Sequence, residues 1–183
     1  MSLNSKTRFV AIVLGGLGIA LSAQAALSSA GPSTFEFRAV GPAGLTINGE
    51  GSGLVATEAG GIVTLVVPLT ELKTGISLRD DHLKKALEVT AHPKANLAVE
   101  RSKLTFPADN KEFDGSAVGQ LTLHGVTKPS KVTYKVKRTG SDYHVQARLE
   151  VDITQFNMEV PCYLGVCVDK NVKVKTAFKV RDN

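Results

Sequence analysis

Beyond residue 33, single apolar and polar residues alternate along most of the chain. Phe35, Phe37 and Ala39 are interleaved with Glu36 and Arg38, and Val132, Tyr134 and Val136 with Lys131, Thr133, Lys135 and Lys137. Tyr143, Val145, Ala147, Leu149 and Val151 alternate with His144, Gln146, Arg148, Glu150 and Asp152. Val172, Val174, Thr176, Phe178 and Val180 do so with Lys173, Lys175 and Lys179. Successive side chains of a strand point to opposite faces, so a period of two predicts strands with one apolar and one wet face, as in an antiparallel sheet. Shorter runs at 45–47, 54–57, 62–69, 96–101 and 118–124 bring the total to about eight or nine strands, separated by Gly and Asn/Asp turn signals such as Gly60-Gly61 and Thr139-Gly140. Residues 77–87 break the period. Leu78, Leu83, Ala86 and Leu87 fall nearer helical spacing, Ser77 with Asp80 reads as a capping pair, and Lys84 and Lys85 suit the far end. Pro93 stops any continuation.

So many half-apolar strands must hide one face and their edges. A closed up-and-down barrel and a two-sheet sandwich both do this. The long ribbon at 131–153 favours the barrel, and the Cys-Trp-Cys landmarks of an immunoglobulin-type sandwich are missing because the chain has no Trp. About eight strands enclose a space just wide enough for side chains or one small ligand. The alternation places Phe35, Phe37, Leu45, Ile47, Leu121, Leu123, Val132, Tyr134, Val136, Val145, Ala147, Leu149, Val174 and Phe178 on the inner face.

The beginning of the chain follows another rule. Lys6 and Arg8 precede a charge-free apolar run from Phe9 to Leu21, and Ala23-Gln24-Ala25 gives the small-x-small pattern of a signal-peptidase site. That run makes about 20 Å of helix, short of the ~30 Å of a bilayer core. Residues 1–25 therefore read as a cleaved secretory signal, 26–33 as a short linker and 34–183 as the domain. Export would allow disulfides to persist. Without Lys6 and Arg8 the formal charge of +5 falls to +3. So small a surplus, with 5% aromatics, calls for no nucleic-acid partner.

Little chemistry is written in the rest. No nucleophile elbow, Walker loop or His-Glu-x-x-His motif occurs, so no catalysis is expected. Cys162 and Cys167 read first as a disulfide within a hairpin, with a redox pair as the alternative. His82, His92, His124 and His144 show no ligand spacing, so no metal site is expected. Arg79, Asp80, Asp81 and His82 form the densest polar cluster, either capping the helix or forming a collar for a ligand headgroup. Lys131, Lys135, Lys137, Lys173, Lys175 and Lys179 make two basic strand faces. These keep strands soluble or, in a third reading, dock on an anionic membrane surface.

Several phrases together resemble the YceI-like family of exported proteins. They are Leu72-Lys73-Thr74-Gly75 with Leu78-Arg79-Asp80-Asp81-His82-Leu83, then Ala91-His92-Pro93-Lys94-Ala95, Gly119-Gln120-Leu121-Thr122-Leu123-His124-Gly125-Val126-Thr127-Lys128-Pro129, and Tyr163-Leu164-Gly165-Val166. The chain departs from the family pattern at Ala86-Leu87-Glu88-Val89, where an aromatic pair is usual, and at its two cysteines. The resemblance implies a lipocalin-like antiparallel β-barrel of about eight strands with one short α-helix near the mouth. The leader places the protein in the periplasm, and a monomer or dimer without a cofactor is expected. The implied ligand is a polyisoprenoid or isoprenoid quinone, a long-chain amphiphilic lipid held in the lumen. Arg79, Asp80, His82 and Leu83 would then lie at the mouth, near its head.

Overall fold

The alternation becomes a single sheet that rolls up on itself. The computed structural model describes residues 26–163 and 166–182; the expected leader, and Leu164 and Gly165 of the closing hairpin, lie outside them. In chain order the strands are β1 (Leu27–Ser29), β2 (Thr34–Val40), β3 (Thr46–Ser52), β4 (Val55–Ala59) and β5 (Ile62–Pro68). After helix α1 (Ser77–Ala86) come β6 (Lys94–Glu100), β7 (Glu112–Leu123), β8 (Val126–Thr139) and β9 (Asp142–Asp152). A small hairpin of β10 (Cys162–Tyr163) and β11 (Val166–Cys167) precedes β12 (Asn171–Asp182). The sheet order is β1-β4-β5-β6-β7-β8-β9-β12-β2-β3, and β1 pairs also with β12, which closes an eight-strand antiparallel barrel.

The closure is divided along β12. Lys173 to Ala177 pair with β2, while Val180 to Asp182 pair with β1. At one end the wall therefore runs from β12 through β1 to β4; at the other it runs through the hairpin β2–β3. The short seam at β1 is stitched by small polar residues. Ser29 Oγ accepts from the Ala56 N–H at 2.7 Å and donates to the Ala56 carbonyl at 3.2 Å. Ser33 Oγ donates to the Leu54 carbonyl at 2.8 Å. At the β3 seam, Glu50 and Lys73 exchange two backbone hydrogen bonds of 2.8 Å.

The β1 end is sealed. Leu27, Val63, Val99, Tyr134, Val136, Tyr143 and Val180 are buried there, and the Phe106 ring meets Tyr143 edge-on at 5.4 Å. An ionic girdle crosses the seam: Arg101 bonds Glu58, which is only 5% exposed, and Asp182 at 3.2 Å, while Glu58 accepts from the Leu27 N–H at 3.2 Å. The Tyr143 hydroxyl donates to Asp182 at 3.1 Å. Burial, then the Asp182 carboxylate, push the Tyr143 phenol up from its ordinary value.

Three expectations are corrected. Leu27–Ser29, in the stretch read as a linker, is a strand, and Leu27 is 3% exposed; a three-residue strand rich in serine is too short to show a period. Strand β7 begins at Glu112 rather than near 118, because Gly115 and Ala117 weaken its apolar signal. Ser77 is not the helix cap. Ile76 holds that position without a side-chain bond, and Asp80 reaches back instead to Thr74.

Candidate functional site

Inside the barrel, toward the end opposite β1, lies a cavity of about 430 Å³. Phe35, Phe37, Ile47, Leu121, Leu123, Val132, Ala147, Leu149 and Val174 line it, joined by residues not expected on the inner face, among them Leu54, Val67, Leu72, Leu87 and Met158. Val67 sits in a continuous apolar run that shows no face, and Leu72, Leu87 and Met158 lie outside strands, so period two carries no signal for them. A second space of about 70 Å³ lies at the sealed end, bounded by Tyr134, Val136, Val145 and Phe178 and sharing Leu65, Leu97, Val132 and Ala147 with the larger one. Alternation gives a side chain's face but not its depth, so these four expected lumen residues belong to the floor. Tyr134 is fixed there, its hydroxyl accepting from the Thr105 N–H at 2.9 Å. Leu45 is a correction: it is 61% exposed and lines neither space. It stands one residue before β3, in a rim loop pinned by the bonds Gly41 N–H to Leu45 carbonyl, 2.6 Å, and Leu45 N–H to Pro42 carbonyl, 3.0 Å.

The lumen stays open because two aromatic rings lie along its wall. Phe35 faces Gly51 across the β2–β3 ladder and Phe37 faces Gly49. A Cβ on either glycine would overlap the opposing ring. The missing side chains leave the rings room on the wall instead of in the space.

Polar groups on this wall are few. Thr176 Oγ1, on β12, is buried without a hydrogen-bond partner among the described residues. At the mouth, α1 places Arg79, His82 and Leu83 on the cavity lining; Asp80 is not on it. Asp80 accepts from the Thr74 N–H at 2.6 Å and from the Thr74 hydroxyl, while Arg79 Nη2 donates to the Thr74 carbonyl at 2.7 Å. The Thr74 hydroxyl first, then its N–H, and at longer range Lys84 and Arg79, hold the Asp80 carboxyl below its ordinary value. The pair thus anchors the helix entrance. Arg79 Nε stays buried and unpartnered among the described residues, a donor at the cavity edge.

Elsewhere, Cys162 and Cys167 form the disulfide across β10–β11. Lys135, Lys137 and Lys179 of the basic faces sit 3.5 to 3.7 Å from Glu112, Asp114 and Asp142, so these lysines are partly neutralised on the outer wall. Glu88 and His92, four residues apart, are joined by the distant His124: one donor atom of each lies within 4.8 Å of the others. Spacing along the chain gave no hint of His124's part in it, because that depends on the β7–β8 turn meeting the turn after α1.

The model of the YceI-like domain matches residues 27–180. Among solved structures, a polyisoprenoid binding domain from Saccharophagus degradans is similar over 87% of this chain and 99% of its own, with a TM-score of 0.71 and 16% identity. Burkholderia cenocepacia BcnA is similar over 80% of this chain and 95% of its own, with a TM-score of 0.64 and 15% identity. A UPF0312 protein from Pectobacterium carotovorum is 35% identical over 82 residues, which are 44% of this chain and 40% of that protein's length. The two structural likenesses are likenesses of fold.

Proposed function

This chain belongs to the YceI-like domain family, and from that premise we propose that it is a non-catalytic carrier or store for an isoprenoid lipid. The apolar cavity of about 430 Å³ carries the reading. It is of a size used for small organic ligands, and apolar cavities stay dry. Each methylene moved there from water contributes roughly 0.8 kcal/mol, so ten carbons offer on the order of 8 kcal/mol before the costs of association. No strong polar contact is needed to hold such a tail. The tail would run from the mouth toward Val132 and Ala147, passing the free hydroxyl of Thr176. The head would meet Arg79 Nε and His82, two donors suited to a quinone carbonyl or a phosphate. The ligand class is supported by the Saccharophagus degradans domain, whose description names polyisoprenoid binding.

Export belongs to the same reading. Its supports are the leader-like residues 1–25 and the Cys162–Cys167 disulfide, which is characteristic of oxidising compartments. N-terminal sequencing of protein recovered from the periplasm should begin at Ala26; recovery of the intact chain from the cytoplasm would remove this part of the proposal.

Organic extraction of natively purified protein, followed by mass spectrometry, should yield about one isoprenoid chain per barrel. Ala95, half-buried on the cavity lining, offers a place to obstruct it: Ala95→Trp should lower the yield at least tenfold while the fold survives. An empty extract, together with no uptake of an added isoprenoid quinone, overturns the carrier reading.

A further inference from the structure

We propose that Glu88, His92 and His124 form a binding site for a divalent transition-metal ion of the zinc class, on the barrel rim outside the lipid cavity. Two local turns supply the donors. Leaving α1, the chain turns so that the His92 N–H bonds the Glu88 carbonyl at 2.8 Å, which puts residues four apart on one side. Facing them is the tight β7–β8 turn, where His124 and Gly125 have φ of 51° and 74°. The His124 and His92 rings meet edge-on with centroids 5.1 Å apart. Gly125 makes room for this, since a Cβ there would come within 2.8 Å of His92 Cε1.

The hydrogen bonding of His124 points to a cation. Its Nδ1 lies 3.2 Å from the Phe156 carbonyl, which only accepts, so Nδ1 carries the proton. That is the arrangement that orients a metal-binding imidazole and leaves Nε2 as the donor. Nε2 is buried and has no hydrogen-bond partner among the described residues. It faces the Glu88 carboxylate at 3.4 Å. In the neutral ring these are two acceptors turned toward each other, an arrangement that favours a cation between them. Two imidazoles and one carboxylate suit zinc, which binds nitrogen and oxygen at about 2.0–2.2 Å. The donors, now within 4.8 Å, would close in around the ion. Glu88, 58% exposed, is free to swing, whereas His124, 13% exposed, is the fixed point. Three protein ligands leave a coordination position for water. An ion here would fasten the segment leaving α1 to the barrel wall.

None of the three residues lines the cavity, so this site and the carrier reading stand or fall separately. The test is calorimetric titration of the untagged full-length mature protein with Zn²⁺ alone. It should give one ion per chain at neutral pH. His124→Asn keeps a residue tolerant of positive φ and should weaken binding more than about tenfold, as should His92→Ala and Glu88→Gln. If His124→Asn does not fold, the other two leave the hairpin turn untouched and carry the test. Three results would overturn the site: no zinc binding, affinity unchanged in His92→Ala and Glu88→Gln, or nitrogen NMR showing His124 doubly protonated at neutral pH and indifferent to added zinc.

Discussion

Gly49 and Gly51 show how single residues turn a filled barrel into a hollow one. Phe35 and Phe37 are large enough to plug the lumen, and both face it. The opposing glycines let their rings lie on the wall. Gly49→Ala would displace the Phe37 ring, at an overpacking cost of about 1–3 kcal/mol, and should reduce isoprenoid uptake as well. Denaturant unfolding and a quinone-binding assay read the two effects, and parental behaviour in both would refute the role given to Gly49. At the same scale, three aspartates tie stability to pH. Asp80 is held below its ordinary value first by the Thr74 hydroxyl, Asp142 by the hydrogen bond from Arg181, and Asp152 by the Thr154 hydroxyl and then Lys170. A depressed carboxyl contributes its full stabilisation above its unfolded pKa and loses it as pH falls through the lower folded value. Melting temperature should therefore stay level from pH 7 to about 5 and fall below about pH 4. A level profile down to pH 2 would contradict the pairing.

Among the elements, α1 and the β10–β11 hairpin were legible in outline and misjudged in detail. The break in period at 77–87 marked the helix, but Ser77 and Asp80 resembled a capping pair only in spacing. Thr74, bent back beside the helix entrance, offers Asp80 a backbone N–H and a hydroxyl together. The cysteine pair was readable because a residue separation of 5 in a turn region brings the two sulfurs close. Replacing both cysteines by Ser should lower stability by about 2 kcal/mol on the chain-entropy account. Chemical unfolding of the variant against the parent measures this, and an unchanged midpoint would show that the hairpin holds without its crosslink.

For the whole molecule, the decisive feature is the way the sheet closes. Strand β1 covers the edges of β4 and of the last residues of β12, with Leu27 buried beneath the Arg101–Glu58–Asp182 girdle. Leu27→Ala should cost about 2–5 kcal/mol, as for other buried leucines. Removing residues 26–30 bares two strand edges, which invites edge-to-edge pairing. Sedimentation should then show self-association; a monomer as stable as the parent would mean that β1 is dispensable.

The sequence by itself determined which side chains face inward, because alternation along a strand is a local property enforced by backbone geometry. It also located the helix, the main turns and the crosslink, each specified within about a dozen neighbouring residues. Tertiary structure alone decided how deep each inward residue sits, so Tyr134 and Phe178 became floor and Phe37 became wall, and it alone turned Leu45 out of the lumen into the rim loop. It alone made β1 a strand and gathered Glu88, His92 and His124. Depth, closure and convergence depend on which strand lies beside which and in what register, and those pairings join residues too distant along the chain for any local pattern to encode.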